Sequence, residues 1–386
     1  MTTGPRISDD DRRARLGRRH LLAPALRATS VEAVADALVG LHATDPATVF
    51  LSACARLAEP SPAEVERGLY EDVTVVKLLS MRRTIFAVST EVAPCVNSST
   101  ARTIARRERA ALLKSLGGSW DGRRLAEAER AALDALAARG EATTAELTAD
   151  VPDLQETLVS SPGKPYEGRQ SVGSRVLRLL ASDGHVRRGR PRGSWTSSLY
   201  PWAPAPSLPE MPEREAKAEL ARRWLASYGP SSEADLKWWT GWGVRDTRTA
   251  LADAGAEAVR LGHGPGFALP GDTGPVEPAG DWAALLPGLD PTAMGWRERD
   301  WYLSPDHVPF LFDRAGNVGP TVWWNGRIVG GWAQRADGEI VWRALADVGR
   351  EAVAAVEAEA GRLADWLGAV RVTPRFRTPL ERELVR

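Results

Sequence analysis

Cysteine is nearly missing from this chain: Cys54 and Cys95 stand alone among 386 residues, without a C-x-x-C spacing. That excludes a disulfide framework and a structural zinc cluster, so both thiols are expected to be buried or incidental. Histidine occurs five times with no H-E-x-x-H, and a protein-bound catalytic metal is not expected. No P-loop or dinucleotide fingerprint is present; GWGVRD at 241–246 lacks a preceding strand and a third glycine, so no nucleotide cofactor is expected. No run of 18 apolar residues occurs, and the opening MTTGPRISDDDRRARLGRRH has no signal-peptide core. A soluble cytoplasmic protein is the expectation. Net charge is zero, which disfavours a broadly basic, histone-like binder.

Local charge tells a different story. Between 161 and 200 stand eight cations, Lys164, Arg169, Arg175, Arg178, Arg187, Arg188, Arg190 and Arg192, against only Glu167 and Asp183. Such an island on a neutral protein makes a phosphate backbone the first partner to consider. Fifteen tryptophans are also unusual. Trp238 and Trp239, or Trp323 and Trp324, could stack on an exposed base or simply pack. Strand alternation predicts one ring of the second pair inward and one outward.

A length of 386 residues allows several domains. Residues 14–28 and 30–40 read as helices, with Pro46 limiting the second and leaving His42 to Asp45 at its exit. Short strands are expected at 73–79 and 84–88, separated by Met81, Arg82 and Arg83. Helices at 124–138, 144–147 and 171–182 precede a hairpin-like HVRRGRPRGSWTSSLY, and PWAPAPSLPEMP at 201–212 reads as a stiff connector. Helices at 213–228, from 231, and at 244–254 lead to a glycine-weakened hairpin at 257–269. Strand-like runs at 301–303, 321–324, 328–332 and 339–342, with turns at Asn325-Gly326 and Asp337-Gly338, precede a helix at 350–367. The expected architecture is α+β. Tandem winged-helix modules occupy 1–120, 121–205 and 206–275, and a small antiparallel barrel or sheet with a helix and an Arg-rich tail fills 276–386.

Four separated segments, LVGLHATDP (38–46), LLSMRRTIFAV (78–88), LLPGLDPTAMGWRERD (285–300) and WWNGRIVGGWAQR through VRVTPRFRTPL (323–380), resemble the winged-helix family that contains the bacterial AlkZ-type DNA glycosylases. The resemblance implies a concave surface for duplex DNA carrying alkylated purines, no cofactor, and a role in base-excision repair or self-protection. It also implies a Gln-x-Gln or Gln-x-Asp motif after the second helix, and the matching positions here are His42 and Thr44, with Asp45 one place later. Arg82 and Arg83 would neutralise flanking phosphates.

Excision of a cationic base such as N7-alkylguanine needs little leaving-group protonation. What it needs is an oriented water and stabilisation of an oxocarbenium-like sugar. Neutral His42 could accept the water's proton, and Thr44 could hold the water. Asp45 could favour the positive sugar, or instead cap the helix before Pro46. His42 could equally be a hydrogen-bonded structural residue. A monomeric glycosylase is the favoured reading, with a noncatalytic DNA-binding or regulatory protein as its rival.

Overall fold

Helix α1 (Asp9–Arg19) begins five residues before the apolar stripe suggests, because Ser8 and Asp11 cap each other reciprocally. Three aspartates in its first turn and Arg18 and Arg19 in its last complement the helix dipole. The computed structural model describes residues 4–118, 120–160, 168–374 and 376–386. Helix α2 (Val31–Ala37) is capped by Ser30, whose hydroxyl accepts from the Ala33 N–H at 3.2 Å, and buries Val31, Val34 and Leu38. There follow β1 (Leu41–His42), α3 (Pro46–Cys54), α4 (Pro62–Glu66), β2 (Val75–Leu79) and β3 (Ile85–Ser89). The strands form an antiparallel sheet in the order β1-β3-β2, with His42 opposite Phe86. Arg82 and Arg83 make the β2–β3 turn at φ of 54° and 60°, a region that disfavours residues with a Cβ.

Helices α5 (Ala93–Val96) and α6 (Arg102–Leu116) lead into α7 (Gly122–Arg139), α8 (Thr144–Asp150), β4 (Thr157–Ser160), β5 (Gly168–Ser171), α9 (Val172–Ser182), β6 (Val186–Arg188) and β7 (Trp202–Pro204). This stretch has its own core, in which Leu125, Leu136, Leu147, Leu177 and Trp202 pack together. Part of the segment expected to be a connector is thus a strand: β7 pairs with β6, placing Arg188 opposite Trp202. Burial of the Trp202 ring, whose N–H donates to Thr144 Oγ1 at 2.9 Å, outweighs the flanking prolines. In a two-stranded ribbon Pro204 needs no second neighbour.

Next come α10 (Glu213–Tyr228), α11 (Glu233–Thr240), α12 (Val244–Asp253) and the hairpin β8 (Glu257–Leu261) with β9 (Gly264–Ala268). The hairpin forms despite its glycines because Val259, Leu261 and Ala268 enclose Ile7 from the N-terminal segment. Beyond it lie β10 (Ala283–Leu286), α13 (Val308–Leu311), β11 (Thr321–Trp324), β12 (Arg327–Gln334), β13 (Ile340–Ala344), α14 (Gly349–Leu367) and α15 (Pro379–Leu384). Strands β10 to β13 form one antiparallel sheet in sequence order, and Asn325-Gly326 turns it at φ of 44° and 82°. Trp323 is fully buried and Trp324 half-buried, the alternation that a pleated strand imposes.

Residues 301–303 are not a strand: only Leu303 makes a bridge, to Ile328. Trp301, Tyr302 and Trp296 all turn inward as one aromatic cluster, which alternation would forbid. Strand β10 went unforeseen because its Ala283-Ala284 pair carries weak strand propensity. The fold is therefore mixed helix and sheet, the sheets small and antiparallel. No described helix is long and apolar enough to cross a membrane. Phe50 and Leu51 of α3, Leu285 of β10, Trp332 of β12 and Leu363 of α14 share one core, which docks the N-terminal region onto the C-terminal sheet.

Candidate active site

That docking leaves an apolar cleft of about 700 Å³, counting space open to solvent. One wall is the start of α3, from Thr44 to Leu51; the others are the 287–289 loop, Val318, the end of β12 at Trp332 and Gln334, and the tail at Pro374 and Phe376. Thr44 and Asp45, half-buried, stand on this cleft. Thr44 Oγ1 accepts from the Ile85 N–H at 3.3 Å, so its own proton remains to be donated. Asp45 Oδ1 accepts from the Ala47 N–H at 3.0 Å, the capping role open to a residue before Pro46.

His42 sits elsewhere. It is 4 % exposed, lies edge-on to Phe86 with ring centroids 5.5 Å apart, and does not line the cleft. Burial holds its imidazole down at about 3, Arg82 adds to this, and Asp290 opposes it. It is therefore neutral at pH 7, with Nδ1 buried and unpartnered among the described residues. The carboxylate whose field reaches His42 is Asp290, not Asp45.

Asp290 anchors the cleft's loop wall. Its carboxylate receives Arg56 Nη2 at 2.7 Å, Arg56 Nη1 at 2.9 Å, Ser52 Oγ at 2.6 Å and the Thr292 N–H at 2.9 Å. Arg56 also donates to the carbonyls of His20 and Ser52. The sequence segment around Asp290 supports the family resemblance, but its ionic partner follows α3 and is evident only once the chain has folded. Glu381, in α15, was likewise not anticipated. It lines the cleft, is 2 % exposed, and has Oε2 without a hydrogen-bond partner among the described residues. Burial pushes its carboxyl up to about 7, against the pull of Arg377 and Arg382.

The expected DNA-contacting cations divide into several settings. Arg82 lies over the Trp238 ring at 4.0 Å, and Arg299 lies over the same ring at 5.0 Å. Burial chiefly, then Arg299, lowers the Arg82 guanidinium to about 10. Both Nε atoms are buried without partners among the described residues, so two cations share one indole without a carboxylate bond from these residues to either Nε. Trp239, the neighbouring ring, is core.

By contrast, Arg83 pairs with Glu108, and Arg190 pairs with Glu71 at 2.5 Å. Arg178, Arg187 and Arg188 line a cavity of about 480 Å³ together with Lys77, which sequence reasoning did not single out. Lys77 Nζ donates to Tyr70 Oη at 2.9 Å; burial, then Arg188 and Arg187, holds its ammonium down at about 7. Arg188 also lies over Tyr200 at 4.6 Å. Arg175 is half-buried on α9, while Arg169 and Arg192 are exposed. Lys164 lies outside the described residues. Thus the basic island gathers around β6 and α9, while Thr44 and Asp45 meet at the cleft and His42 stays buried in β1, off the cleft.

Among the described residues, Asp235, His263 and Glu298 bring potential metal-binding atoms within 4.8 Å of one another. Asp235 already caps α11 through Ser232 and accepts the N–H groups of Arg297 and Glu298 at 2.9 Å. It ties α11 to the following loop.

The fold is similar to a solved structure of the Streptomyces sahachiroi DNA glycosylase AlkZ, with a TM-score of 0.72 at 22 % identity over 96 % of this chain and 99 % of that one. A curated relative, the interstrand DNA cross-link repair glycosylase of Streptomyces sahachiroi, is 29 % identical over 219 residues, spanning 52 % of this chain and 57 % of the relative. The pattern of the DNA glycosylase AlkZ-like family matches residues 35–366, taking in β1, the cleft's loop wall and the C-terminal sheet, and the chain belongs to that family.

Proposed function

We propose that this chain is a monofunctional, metal-independent DNA glycosylase that hydrolyses the N-glycosidic bond of alkylated purines such as N7-alkylguanine and leaves an abasic site. The observation that carries the reading is Thr44 and Asp45 meeting on an apolar cleft, in a chain of this family. An already cationic base departs without a proton. Thr44 can donate to and place the attacking water, while the Asp45 carboxylate favours the positive sugar. His42, neutral and packed on Phe86, supports the strand that delivers Thr44 instead of contacting that water.

Residues 1–120, 121–205 and 206–275 serve as winged-helix modules and 276–386 as the sheet domain that completes a surface for duplex DNA. The Arg82 and Arg299 pair, and the Arg178, Arg187, Arg188 and Lys77 cluster, supply the phosphate contacts. The protein acts as a monomer on the nucleoid, in base-excision repair or in self-protection against a DNA-alkylating product.

Duplexes with a single N7-methylguanine or N3-methyladenine provide the test, read as free base and abasic sites. Thr44→Ala and Asp45→Asn are expected to lose turnover while retaining lesion-duplex affinity, with His42→Ala less damaging. Unchanged turnover in all three places the chemistry elsewhere. A second reading, a noncatalytic DNA-binding or regulatory protein, is favoured by the sealed His42 and the capping bond of Asp45. It prevails if damaged and intact duplexes bind alike and no base is released.

A further inference from the structure

Glu381 has an environment that its packing role does not explain. Its side chain is 2 % exposed on the cleft that Thr44 and Asp45 also line, and Oε2 has no hydrogen-bond partner among the described residues. The carboxyl's other contacts are a backbone hydrogen bond from Thr378 and a loose ionic neighbour, Arg377 Nε at 3.6 Å from Oε1. Removing a carboxyl from water and leaving one oxygen unsatisfied costs on the order of 1–3 kcal/mol. Stability alone would favour a glutamine or leucine here.

Its surroundings are otherwise quiet. Thr378, at the start of the same helix, contributes a backbone hydrogen bond, and among the described residues Arg377 and Arg382 are the cations whose fields reach the carboxyl. Neighbouring α13 carries no charged side chain, and Arg343 of β13 is paired with Glu383 at 2.8 Å. Arg327 stands at the far end of β12 from Gln334. Across the cleft, the ionisable group among the described residues is Asp45, engaged with the Ala47 N–H.

We propose that Glu381 is the proton-transfer residue of this cleft and extends excision to uncharged purine bases. The inference rests on the glycosylase reading above. A neutral base leaves poorly as an anion, so excision requires a proton on a ring nitrogen as the C1′–N bond breaks. The Glu381 carboxylic acid gives that proton, and the electron pair of the breaking bond passes to the base. Water then bonds to C1′, and its released proton returns to the Glu381 carboxylate. The products are free base and an abasic sugar, and the acid is regenerated. An acid held near neutrality by burial suits this exchange at physiological pH.

Two duplexes, one carrying hypoxanthine as a neutral base and one carrying N7-methylguanine, are compared with wild-type protein and Glu381→Gln. The expected result is release of both bases by wild type, with hypoxanthine release falling by about 100-fold or more in the variant, the range for loss of a general acid. The loss on N7-methylguanine is expected to be at least tenfold smaller. Wild-type hypoxanthine release should also decline as pH rises through about 7, and that inflection should vanish in the variant. A melting temperature of Glu381→Gln no lower than wild type shows that the fold is retained; Glu381→Asp, which restores an acid, should recover part of the rate.

Equal losses on both duplexes overturn the proton-transfer role and leave a positioning one. Wild-type release of N7-methylguanine without hypoxanthine overturns the inference and leaves the glycosylase reading standing. Release of neither overturns both.

Discussion

Arg56 and Asp290 meet as a two-pronged ion pair, at 2.7 Å and 2.9 Å, with neither side chain exposed. The pair joins the residues just after α3 to the loop that walls the cleft, so it holds together two segments separated by 234 positions. Burial pushes the Asp290 carboxyl up, but the charge and hydrogen bonds of Arg56, with Ser52 and Thr292, prevail and hold it below its ordinary range. Replacing Asp290 with alanine leaves a buried guanidinium uncompensated, and about 3–5 kcal/mol of stability should be lost. Urea denaturation measures it. A loss under about 1 kcal/mol would mean that Arg56 reaches water once its partner is gone.

Two buried imidazoles make the fold less stable as pH falls below neutrality. Burial holds both His20 and His42 down at about 3, helped by Arg56 and Arg82 respectively. In the unfolded chain each takes a proton near 6.5, whereas the folded chain refuses it until about 3. Between these values the unfolded state binds more protons, so stability is full above 6.5 and declines as pH falls. Each histidine should contribute a slope of roughly 1.4 kcal/mol per pH unit. Urea titrations between pH 7 and 5 measure the slope, and His42→Gln should remove about half of the histidine part. An unchanged slope in that variant would show that His42 is already protonated or hydrated in the native state.

Much of the scaffold was legible because its determinants are local. The Ser30 cap, the apolar periodicity of α2 and the Asn325-Gly326 turn act over a few residues and appear in the chain as in the sequence. Where the reading failed, a distant contact had decided the outcome. Trp202 converts a proline-rich stretch into a strand by burying its ring against the α7–α9 core, and the 301–303 run yields its alternation to an aromatic cluster. The cleft follows the same rule. Thr44 and Asp45 could be singled out because they fall within a short polar exit before Pro46. Glu381 could not, since its burial depends on a tail folding back over β12, and nothing in TPLEREL marks that.

Arg82 and Arg299 over Trp238 make a specific claim about DNA association. Guanidiniums stacked on one indole repel each other, and a phosphate between or beside them would relieve the repulsion. Arg82→Ala or Arg299→Ala should each reduce the dependence of log K on log salt by about 1 and weaken binding evenly across duplex sequences. Arg83→Ala and Arg190→Ala should do less, because Glu108 and Glu71 already neutralise those cations. Fluorescence anisotropy at several salt concentrations decides it. Equal slopes for all four variants would remove the Trp238 pair from the DNA surface.

Gln334 controls whether the tail closes the cleft at all. Its amide donates to the Val370 carbonyl at 3.0 Å, and its oxygen accepts from the Val372 N–H at 2.8 Å, pairing the end of β12 with the chain that continues to Pro374, Phe376 and Glu381. Arg371 reinforces the clasp, donating to the Asp337 carbonyl at 2.6 Å, but it is exposed and more readily screened. Loss of both Gln334 bonds in Gln334→Ala should weaken the tail by about 2 kcal/mol, at about 1 kcal/mol for each bond. Local opening would then be some 30-fold more frequent. Tryptic cleavage after Arg371 and Arg377, followed by mass spectrometry, should accelerate accordingly, while β10 to β13 persist. A variant that resists trypsin as wild type does would show that side-chain packing of α15 on β12, and not this amide clasp, holds the tail over the cleft.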